Sequence, residues 1–538
     1  MTTARAAALD HPFTRPRTFA SELAARVADH PDKVFLYFGD EPVTFADAQE
    51  RTLSAANQLL ALGVGPGDTV AILTLACSEF LATWLGCAEI GALSMPINVM
   101  FRGEFLRHQL DDSGTTVLLV DAMFLPQVAQ VLEGAPGLHT LLVRGTVPDD
   151  LVLPERVTVR DASFLAEGAT DAVHGGRPHA WNEQACLFYT SGTTGPSKGA
   201  LLTQQYLCVA AEALADAYGM TSDDVMYAAV PLFHMGGAYG VVAGSLVSGR
   251  TAVLDPMFSV TACWDRVRQY QASIFLGVGP MIMMLLSLPP DERDADLPIR
   301  LLVGAPVSPA MHEAAEARYG CTVLQCYGQT EVIPVAMTHF GAGDAAGSAG
   351  RLGPLHDVRI VDDDDHDVEP GQPGEIVVRP RHPHVMFEGY RNQEAATLGQ
   401  FRNLWYHTGD MGRIDAEGNL WWVDRKKDSI RRRGENISSF EVETTVLRHE
   451  AVAEVAAHAV PSAIGEDDVK ICVVVKPDTK VTSEELLEHC VATMPSFMVP
   501  RYIELVDALP KNVIGRVQKH VLRAEPLTDA TWDRDATA

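Results

Sequence analysis

The chain contains 538 residues, 47% of them apolar and 21% charged, which is enough for two or three domains with large cores. Its formal net charge is −28 and its pI is near 5.0, so the composition argues against a protein that binds nucleic acid or an anionic membrane. Any phosphate site therefore has to be built locally, from backbone N–H groups and a few cationic side chains.

Cysteine usage and the N-terminus indicate the compartment. The nine cysteines are scattered without a C-x-x-C pair, which argues against a zinc site or a disulfide scaffold and suits a reducing cytosol. The N-terminus has no apolar core typical of a signal peptide. The most apolar window, 273–288, contains Gly279 and Pro280 and is too short for a membrane span, so it predicts a buried strand and helix. We expect a cytoplasmic protein without a membrane span.

Most of the chain alternates short β-rich runs with helical stretches. In chain order, TVAILT (69–74) predicts a buried strand, 77–92 a helix, and TVLLV (116–120) a second strand. LLVGA (301–305) and TVLQCYG (322–328) follow the same pattern. This alternation predicts parallel sheets covered by helices, in which ligands gather beyond the carboxyl ends of the strands.

The last hundred residues have a different texture. They follow the basic stretch DRKKDSIRRRGE, and DVKICVVVK (468–476) predicts a strand. Thr482 and Glu485 can form a capping box for a helix. One face of that helix would carry the apolar residues Leu487, Cys490, Val491 and Met494. The domains predicted are 1–426, a small α+β domain over 427–525, and a mobile tail over 526–538, which lacks a core pattern.

The strongest local signal is YTSGTTGPSKGA, at positions 189–200. Glycines let backbone N–H groups approach an anion, hydroxyls donate further hydrogen bonds, and a lysine adds charge. The spacing does not fit a Walker A loop, and a flexible surface loop is the alternative. The predicted phosphate-binding residues are Thr190, Ser191, Gly192, Thr193, Thr194, Gly195 and Lys198.

This loop resembles the signature of the adenylate-forming (ANL) superfamily, which includes acyl-CoA synthetases, firefly luciferase and peptide-synthetase adenylation domains. The resemblance recurs in order along nearly the whole chain. The further matching stretches are GALSMPIN (91–98), PLFHMGG (231–237), VGAPVS (303–308), QCYGQTE (325–331), PGEIVVRP (373–380), WYHTGD (405–410), VDRKKDSIRRRGENISSFEVE (423–443) and LPKNVIGRVQKHVLR (509–523). The chain is thus identified as similar to the acyl-CoA synthetase branch.

The resemblance implies an α/β fold and a two-step reaction. The expected architecture has a large N-terminal domain of packed parallel and mixed sheets with helices and a β-barrel-like subdomain, followed by a small, mobile α+β C-terminal domain. Relatives bind ATP, Mg²⁺ and an acid, form acyl-AMP and release pyrophosphate. The C-terminal domain then swings, and a thiol such as that of coenzyme A attacks the acyl-AMP.

Nucleotide contacts are carried over by motif. The resemblance implies that Gly304, Ala305 and Pro306 form one wall of the adenine slot. Tyr327 would stack on the ring, its neighbours Cys326 and Gly328 would also contact the nucleotide, and Gln325 would read the adenine edge. A core aromatic is the alternative for Tyr327. These assignments are expectations that depend on the fold.

Phosphate, metal and ribose contacts follow in the same way. Thr330 would hold the α-phosphate and Glu331 would bind Mg²⁺, which prefers carboxylate oxygen. Asp410 would accept both ribose hydroxyls, since one carboxylate offers two acceptor oxygens, and Arg425 would also contact the ribose. The alternatives are a solvated Glu331 and an Arg425 that belongs merely to a basic linker.

His234, in PLFHMGG, is expected to be partly buried and to border the acyl carboxylate. A histidine satisfied in the core is the alternative. Residues expected to line the acyl pocket with it are mostly small and uncharged: Gly237, Ala238, Tyr239, Val278, Gly279, Gly304 and Gly328. A wide apolar pocket predicts a bulky hydrophobic acid, whereas glycines that serve backbone packing would leave the pocket short.

The basic segment contains the expected hinge and thiol channel. Lys427 matches the family's hinge residue. Arg433, Gly434 and Glu435 would contact coenzyme A after the swing, where a glycine keeps a narrow channel open. A solvated charged loop is the alternative.

One position departs from the family pattern. The last motif of relatives carries a lysine after its glycine, and here Arg516 follows Gly515. That lysine contacts the acyl carboxylate and the α-phosphate during adenylation. Arginine keeps the charge but is planar and wider, so the expected catalytic set of His234, Thr330, Glu331 and Arg516 has a weak point in its first half-reaction. Lys511 or Lys519 could replace the missing lysine, although neither aligns with it in sequence.

The sequence leaves several functions open. An enzyme without adenylation activity would use acyl-AMP supplied by a partner enzyme. Further alternatives are a carrier-protein-loading adenylation enzyme, a luciferase-like oxygenase of the same fold, and a non-catalytic nucleotide-binding regulator. Arg516 favours the regulator, whereas the motif around Arg433 and Gly434 argues against it. The uncharged run after His234 disfavours an amino acid as substrate. The oligomeric state is open between a monomer and a homodimer.

Overall fold

The computed structural model describes residues 13–190, 197–426, 428, 430–432, 435–437, 439–462, 467–494, 496, 498–511, 515 and 517–537. For residues 431, 435, 436, 441 and 537 it describes the backbone only. The chain divides into two compact units. The large unit comprises Met1–Val358, Val378–Tyr406 and Glu417–Leu420, and the small unit comprises Arg359–Val377, His407–Ala416 and Trp421–Ala538.

The first part of the large unit is built on a seven-stranded sheet. Strands up to residue 203 are β1 Val34–Phe38, β2 Glu41–Thr44, β3 Thr69–Leu73, β4 Leu93–Pro96, β5 Thr115–Asp121, β6 Thr140–Arg144, β7 Thr158–Asp161, β8 Gln184–Thr190 and β9 Lys198–Thr203. Helices over this stretch are α1 Phe19–Asp29, α2 Phe45–Ala61, α3 Ser78–Ile90, α4 Gly103–Asp112 and α5 Leu125–Ala129, with 3₁₀ turns at Ala122–Phe124, Leu132–Gly134 and Ala162–Ala166. The sheet order is β7-β6-β5-β3-β4-β8-β9, parallel except for β9. The strands predicted at 69–74 and 116–120 and the helix between them are confirmed.

A second seven-stranded sheet follows. Its later strands are β10 Val225–Ala228, β11 Thr251–Leu254, β12 Ile274–Leu276, β13 Leu301–Val303 and β14 Thr322–Leu324. The helices are α6 Gln204–Ala217, a π-helical segment Gly236–Ala243, α7 Gly244–Ser248, α8 Cys263–Gln269, α9 Gly279–Leu286 and α10 Pro309–Tyr319, with a 3₁₀ turn at Glu292–Asp296. The order is β14-β13-β12-β10-β11-β1-β2, parallel except for the hairpin partner β2.

The apolar window at 273–288 folds as the strand and helix predicted, but the helix is not fully buried. Met283 and Met284 are 49% and 44% exposed, because α9 turns only one face toward the sheet. No helix among the described residues is both long and apolar enough to span a bilayer.

The chain leaves the second sheet at Gln325. The single strand predicted at 322–328 is therefore divided between β14 and β15 Cys326–Gln329. A three-stranded sheet of β15, β16 Val332–Met337 and β17 Arg351–Leu352 follows. A five-stranded sheet then contains β18 His356–Val361, β19 Gly374–Pro380, β20 Phe401–Arg402, β21 Trp405–Ile414 and β22 Leu420–Arg425, with α11 Glu394–Gly399 before β20.

The C-terminal part of the small unit is the α+β domain predicted. It contains a hairpin of β23 Ile430–Arg432 and β24 Glu435–Ile437, and a sheet in the order β25 Val452–Pro461, β26 Asp467–Val475, β27 Tyr502–Leu505 and β28 Trp532–Asp533. The helices are α12 Ser439–Val446, α13 Ser483–Thr493 and α14 Lys519–Ala524, with a 3₁₀ turn at Arg534–Thr537. The α/β class, with parallel and mixed sheets before a small C-terminal domain, is confirmed.

The capping box of Thr482 and Glu485 is present at the start of α13. The predicted apolar face is correct at Cys490 and Met494, which are buried, and at Leu487, which packs against the core. It is wrong at Val491, which is 61% exposed, and the buried residue Leu486 was not predicted.

The tail after residue 525, which the sequence predicts to be mobile, contains strand β28. Trp532 of β28 pairs with Ile503 of β27 and packs against the core of the small unit. Arg501 binds Asp533 at 3.1 Å, and the hydroxyl of Thr531 donates to Glu504 at 2.7 Å. One apolar residue anchors the segment and polar contacts hold the rest, so the sequence shows no periodic pattern there.

Candidate active site

The phosphate-loop motif lies between two paired strands. Thr190 ends β8 and Lys198 begins β9, and the two residues are register partners in the antiparallel pair. Residues 191–196 lie outside the described residues, so the assignments of Ser191, Gly192, Thr193, Thr194 and Gly195 stay predictions. The pairing brings both ends of the motif together, as a loop closing around an anion requires.

Helix α4 holds both sides of this loop. The hydroxyl of Tyr189 donates to Asp112 Oδ2 at 2.6 Å, and His108 Nε2 lies 2.9 Å from the carbonyl oxygen of Ser197. Burial and the neighbouring Asp112 raise the pKa of Tyr189, so this phenol stays protonated and donates. The loop is therefore mounted on a rigid element at each end.

Tyr390 connects the two residues expected to serve the phosphates. Its hydroxyl donates to Glu331 Oε1 at 2.7 Å, and Lys198 Nζ lies 4.9 Å from the centre of its ring. Burial and the charge of Glu331 raise the pKa of Tyr390, which keeps the proton on the phenol. The sequence analysis missed this residue, because its partners are far away along the chain and no motif spacing marks it.

Glu331 fits the role of a magnesium ligand. It is 7% exposed, and its carboxylate provides the hard oxygen atoms that Mg²⁺ prefers. Among the described residues there is no group of three or more His, Cys, Asp or Glu side chains that could hold a metal by themselves. An ion bound to Glu331 would therefore complete its octahedron with water and phosphate oxygens.

Two further tyrosines fix the turn that precedes Glu331. The hydroxyl of Tyr206 donates to the carbonyl oxygen of Thr330 at 3.2 Å, and that of Tyr406 donates to Gln329 Oε1 at 3.1 Å. Burial raises the pKa of both phenols well above the usual value. Thr330 is half-buried at the start of this turn, which is held by one contact from helix α6 and one from strand β21.

Gln325 has a different role from the one expected. Its Oε1 accepts from the N–H of Val307 at 3.0 Å, and its Nε2 donates to the carbonyl oxygen of Ser348 at 2.5 Å and to that of Val307 at 3.4 Å. The side chain is buried and both amide donors are used, so Gln325 does not read an adenine edge. It clamps the backbone after β13, where the predicted adenine wall begins.

The adenine-wall residues occupy neighbouring backbone. Gly304, Ala305 and Pro306 follow β13, and the N–H of Gly304 donates to the carbonyl oxygen of Leu324 at 3.0 Å. Ser308 then caps α10, its side chain accepting from the N–H of Met311. The wall is thus a short connection fixed at both ends.

Tyr327 and Cys326 lie in β15. Tyr327 is 9% exposed and pairs with Ala336 of β16, so most of its ring is packed. Burial raises the pKa of the Cys326 thiol to about 11, which keeps it protonated and unreactive at neutral pH. Cys326 is therefore a packing residue of the site and not a nucleophile.

His234 is exposed, and the expectation that it is partly buried is wrong. Its carbonyl oxygen accepts from the N–H groups of Gly237 and Ala238, both at 3.0 Å, which starts the π-helical segment. Its ring lies 4.7 Å from the Phe233 ring. Crowding by surrounding atoms lowers the pKa of His234 by desolvation although water still reaches the ring, so neutral imidazole is favoured.

The predicted acyl-pocket glycines serve backbone packing. A Cβ on Gly237 would lie 2.4 Å from the carbonyl oxygen of Pro231, and one on Gly279 would lie 2.2 Å from that of Pro306. A Cβ on Gly328 would lie 2.6 Å from Ile333 Cγ1. These glycines are required for close approach of the chain and are no evidence of a wide pocket.

Two other members of the acyl set are core residues. Ala238 and Tyr239 are 0% and 2% exposed, and the Tyr239 hydroxyl donates to the carbonyl oxygen of Ala210 at 3.2 Å. Val278, by contrast, is 41% exposed at the entry to α9. The structure thus leaves His234 and Val278 as the predicted acyl residues with accessible side chains.

The ribose residues are brought together in the small unit. Arg425 Nε binds Asp410 Oδ1 at 2.8 Å, and the Asp410 carboxylate is almost fully buried. Asp410 lies in β21 and Arg425 ends β22, which pairs with β21. Because a buried carboxylate is retained only with partners, this pair forms a preorganised acceptor for polar hydrogens.

The comparisons with known proteins identify the family. Residues 23–391 match the AMP-binding enzyme family, and residues 441–516 match the AMP-binding enzyme C-terminal domain. The chain belongs to this family. It is an acid–thiol ligase of the acyl-CoA synthetase type.

Relatives of this AMP-binding enzyme match over nearly their whole length. The indoleacetate–CoA ligase of Aromatoleum aromaticum is 33% identical over 499 residues, which are 92% of this chain and 95% of the relative. The long-chain-fatty-acid–CoA ligase of Escherichia coli O157:H7 is 30% identical over 539 residues, 93% and 92% of the two chains. The structure of o-succinylbenzoate CoA synthetase (MenE) from Bacillus subtilis with its acyl-adenylate intermediate matches with a TM-score of 0.81 at 27% identity, covering 94% and 98%.

Several residues of the AMP-binding enzyme that were predicted for the hinge, the coenzyme A channel and the last motif lie outside the described residues. These are Lys427, Arg433, Gly434 and Arg516. Glu435 begins β24, of which only the backbone is described at that position. The hinge and coenzyme A assignments, and the role of Arg516, therefore stay predictions.

Proposed function

We propose that this AMP-binding enzyme joins an organic acid to coenzyme A through acyl-AMP, and that adenylation is the weaker of its two half-reactions. The contacts of Tyr390 with Lys198 and Glu331 carry the proposal, because they align a cation and a magnesium-binding carboxylate for the phosphates of ATP. Asp410 and Arg425 would hold the ribose.

Each of the two proposed steps forms one bond and breaks one bond. A carboxylate oxygen of the acid attacks the α-phosphorus of ATP, the new P–O bond forms, and the bond to pyrophosphate breaks. The thiol of coenzyme A loses its proton and attacks the acyl carbon, the C–S bond forms, and AMP leaves with the electron pair of the broken C–O bond. Negative charge develops on oxygen in both steps, so each depends on fixed positive groups.

Weak adenylation follows from Arg516. The match with the AMP-binding enzyme C-terminal domain ends at this residue. By resemblance, the position corresponds to the lysine that relatives use for adenylation. The two nearby lysines are both engaged: Lys511 binds Glu454 at 2.5 Å, and Lys519 binds Glu443 at 2.8 Å. Losing one well-placed charged contact in a transition state costs roughly 10²–10³ in rate.

The test separates the two half-reactions. Pyrophosphate release from ATP, Mg²⁺ and acid measures adenylation, and AMP release from synthetic acyl-AMP and coenzyme A measures thioester formation. We expect the second rate to exceed the first, and Arg516→Lys to raise pyrophosphate release at least tenfold without changing the second rate. Arg523→Lys is the matched control, since Arg523 binds Asp428 and does not align with the adenylation lysine of relatives. Equal rates in the unaltered enzyme, with no gain in Arg516→Lys, would contradict weak adenylation.

A thioester-only enzyme is the second candidate. The same arginine favours it, because a planar guanidinium is a poor replacement for a compact ammonium between two reacting oxygens. Such an enzyme would consume acyl-AMP made by a partner adenylating enzyme. Pyrophosphate release that stays at background with every acid tested, together with rapid turnover of acyl-AMP, would select this candidate over the first.

We infer that the acid is apolar and bulky or aromatic, and that the thiol is coenzyme A. Indoleacetate and long-chain fatty acids, the acids of two relatives named above, support a bulky or aromatic apolar acid, and all three relatives are named for coenzyme A. Gly237, Gly279 and Gly328 serve backbone packing and therefore do not indicate the size of the acid. A thermal-shift panel of acyl-sulfamoyl adenosines tests the acid, since stabilisation grows as RT ln(1 + [L]/Kd). Stronger stabilisation by acetyl than by indoleacetyl or palmitoyl analogues would contradict a bulky acid.

A further inference from the structure

Glu375 is a buried carboxylate that joins three strands of the small unit. It lies in β19 within the matching stretch PGEIVVRP, and it is 5% exposed. Its Oε1 accepts from the N–H of Gly409 at 3.2 Å. Its Oε2 accepts from Lys426 Nζ at 2.9 Å and lies 3.1 Å from His407 Nδ1.

These partners flank the pair of Asp410 and Arg425. Gly409 directly precedes Asp410 in β21, and Lys426 directly follows Arg425 at the end of β22. The N–H of Lys426 also donates to the carbonyl oxygen of Gly409 at 2.9 Å. One carboxylate thus fixes the backbone next to both members of the pair.

The local backbone explains why such an anchor is needed. Gly409 has φ of +69°, which is the left-handed region, so β21 deviates from regular extended geometry just before Asp410. Irregular backbone loses ladder hydrogen bonds and requires another acceptor for its N–H group. Glu375 provides that acceptor.

The charge state of Glu375 suits this role. Burial raises the pKa of its carboxyl, but the hydrogen bonds from Lys426 and His407 outweigh burial and lower the pKa overall. The side chain is therefore an anion at neutral pH and an acceptor at both oxygens. A neutral amide in its place has one oxygen and one NH₂ group, and so cannot accept on both sides.

We propose that Glu375 is a positioning residue for the ribose of the nucleotide, acting through Gly409 and Lys426 on Asp410 and Arg425. This inference rests on the proposed function, in which Asp410 accepts the ribose hydroxyls. Glu375 itself contacts no substrate. Its removal loosens the spacing and direction of the acceptor carboxylate, so the enzyme loses affinity for the two hydroxyls while other nucleotide contacts persist.

A pair of nucleotides measures this effect in the full-length protein. Isothermal titration gives the dissociation constants of AMP and 2′,3′-dideoxy-AMP for the unaltered enzyme, Asp410→Asn, Glu375→Gln and Glu375→Asp. The unaltered enzyme is expected to prefer AMP at least tenfold, because hydrogen bonds to a charged acceptor are strong. In Asp410→Asn and both Glu375 variants the preference is expected to fall below about threefold, while dideoxy-AMP binds within about twofold of the unaltered enzyme.

Asp363→Asn is the matched control. Asp363 also binds Lys426, at 2.8 Å, and the substitution removes the same charge, but the Asp363 side chain is 82% exposed on the outer side of that lysine. It should keep the full preference for AMP. If Glu375→Gln does not fold, Glu375→Asp decides, since its shorter carboxylate reaches Gly409 or Lys426 but not both.

The outcomes test the positioning role of Glu375 separately from the ribose-binding role of Asp410. An unaltered enzyme that binds both nucleotides equally would overturn the ribose assignment of Asp410, and the inference with it. A preference for AMP that is lost in Asp410→Asn but kept in a folded Glu375 variant would overturn the inference alone. An equal loss in Asp363→Asn would show a general charge effect and would also overturn it.

Discussion

The hydroxyl of Tyr390 donates a 2.7 Å hydrogen bond to Glu331 Oε1. The same ring carries Lys198 Nζ at 4.9 Å from its centre. A single aromatic residue thus orients the carboxylate proposed to bind Mg²⁺ and the cation proposed to contact phosphate. Since a ligating carboxylate depends on the partners that orient it, Tyr390 should matter for metal use although it lies in none of the matching motifs.

Replacing Tyr390 by phenylalanine tests this relationship. The ring and its contact with Lys198 remain, but Glu331 loses its hydrogen-bond donor. We expect the Mg²⁺ concentration for half-maximal pyrophosphate release to rise about tenfold, in the range seen for partners of metal ligands. Tyr239→Phe is the control, because it removes a buried hydroxyl that donates to the carbonyl oxygen of Ala210 and leaves the donor to Glu331 in place. An unchanged Mg²⁺ dependence in Tyr390→Phe would argue against the role of Tyr390.

Gln325→Leu separates a clamp from a base-reading residue. The substitution leaves the buried N–H of Val307 and carbonyl oxygen of Ser348 without their partner. The free energy of unfolding should fall by about 2–4 kcal/mol, since each orphaned buried group costs about 1–3 kcal/mol. The ratio of KM values for ATP and GTP should stay the same. A collapsed ATP preference at unchanged stability would restore the original assignment to the adenine edge.

Neighbouring glycines offer a matched comparison in the PLFHMGG stretch. Alanine at Gly237 would place its Cβ 2.4 Å from the carbonyl oxygen of Pro231, whereas nothing lies within 4 Å of a Cβ on Gly236. We expect Gly237→Ala to lower the free energy of unfolding by about 1–3 kcal/mol, as overpacking does, and Gly236→Ala to change it little. Urea denaturation measures both. If Gly237→Ala keeps its stability but rejects large acids, the glycine lines the acyl pocket after all.

His458 should make the small unit sensitive to acid. Burial, together with the nearby cations Lys470, Arg523 and Lys519, lowers its pKa from 6.5 to about 4 against one favourable backbone contact. The unfolded chain therefore binds the proton more readily than the folded one. The associated stability is present above pH 6.5 and is lost as the pH falls toward 4.

The size of that loss can be measured against a variant. At pH 5 the unaltered enzyme should lose about 2 kcal/mol through His458, from 1.36 kcal/mol for each pH unit below 6.5. His458→Gln should unfold with a correspondingly flatter pH dependence between pH 7.5 and 5. His174→Gln, at an exposed position, should leave the pH profile unchanged. Parallel profiles for the unaltered enzyme and His458→Gln would contradict this assignment.

Sequence reasoning succeeded where chemistry is carried by neighbours along the chain. The strands at 69–74 and 116–120 and the capping box of Thr482 follow from local pattern and are present. Thr190 and Lys198 come together because a short loop joins paired strands. Asp410 and Arg425, which both come from matching motifs, do form a pair. The family itself was also recognisable from the ordered motifs.

Sequence reasoning failed where a side chain is used by distant backbone. Gln325 has the right type and place to read a base, but its amide is bonded to Val307 and Ser348. Gly237 and Gly279 looked like the lining of a pocket, although a Cβ at either would strike a carbonyl oxygen. The sequence of the tail gave no sign that Trp532 would find the core. Each error concerns what lies across a packed interface.

The family, the α/β class and the arginine at position 516 can be read from the sequence alone, whereas the residues that meet the nucleotide stay predictions. The family and the fold class depend on residue types and on spacing, which the chain carries directly. The contacts of Tyr390 with Lys198 and Glu331, and of Glu375 with the backbone beside Asp410 and Arg425, appear only in the folded structure. Such contacts form between segments far apart in sequence, and their hydrogen bonds depend on ångström-scale distances that no local pattern encodes.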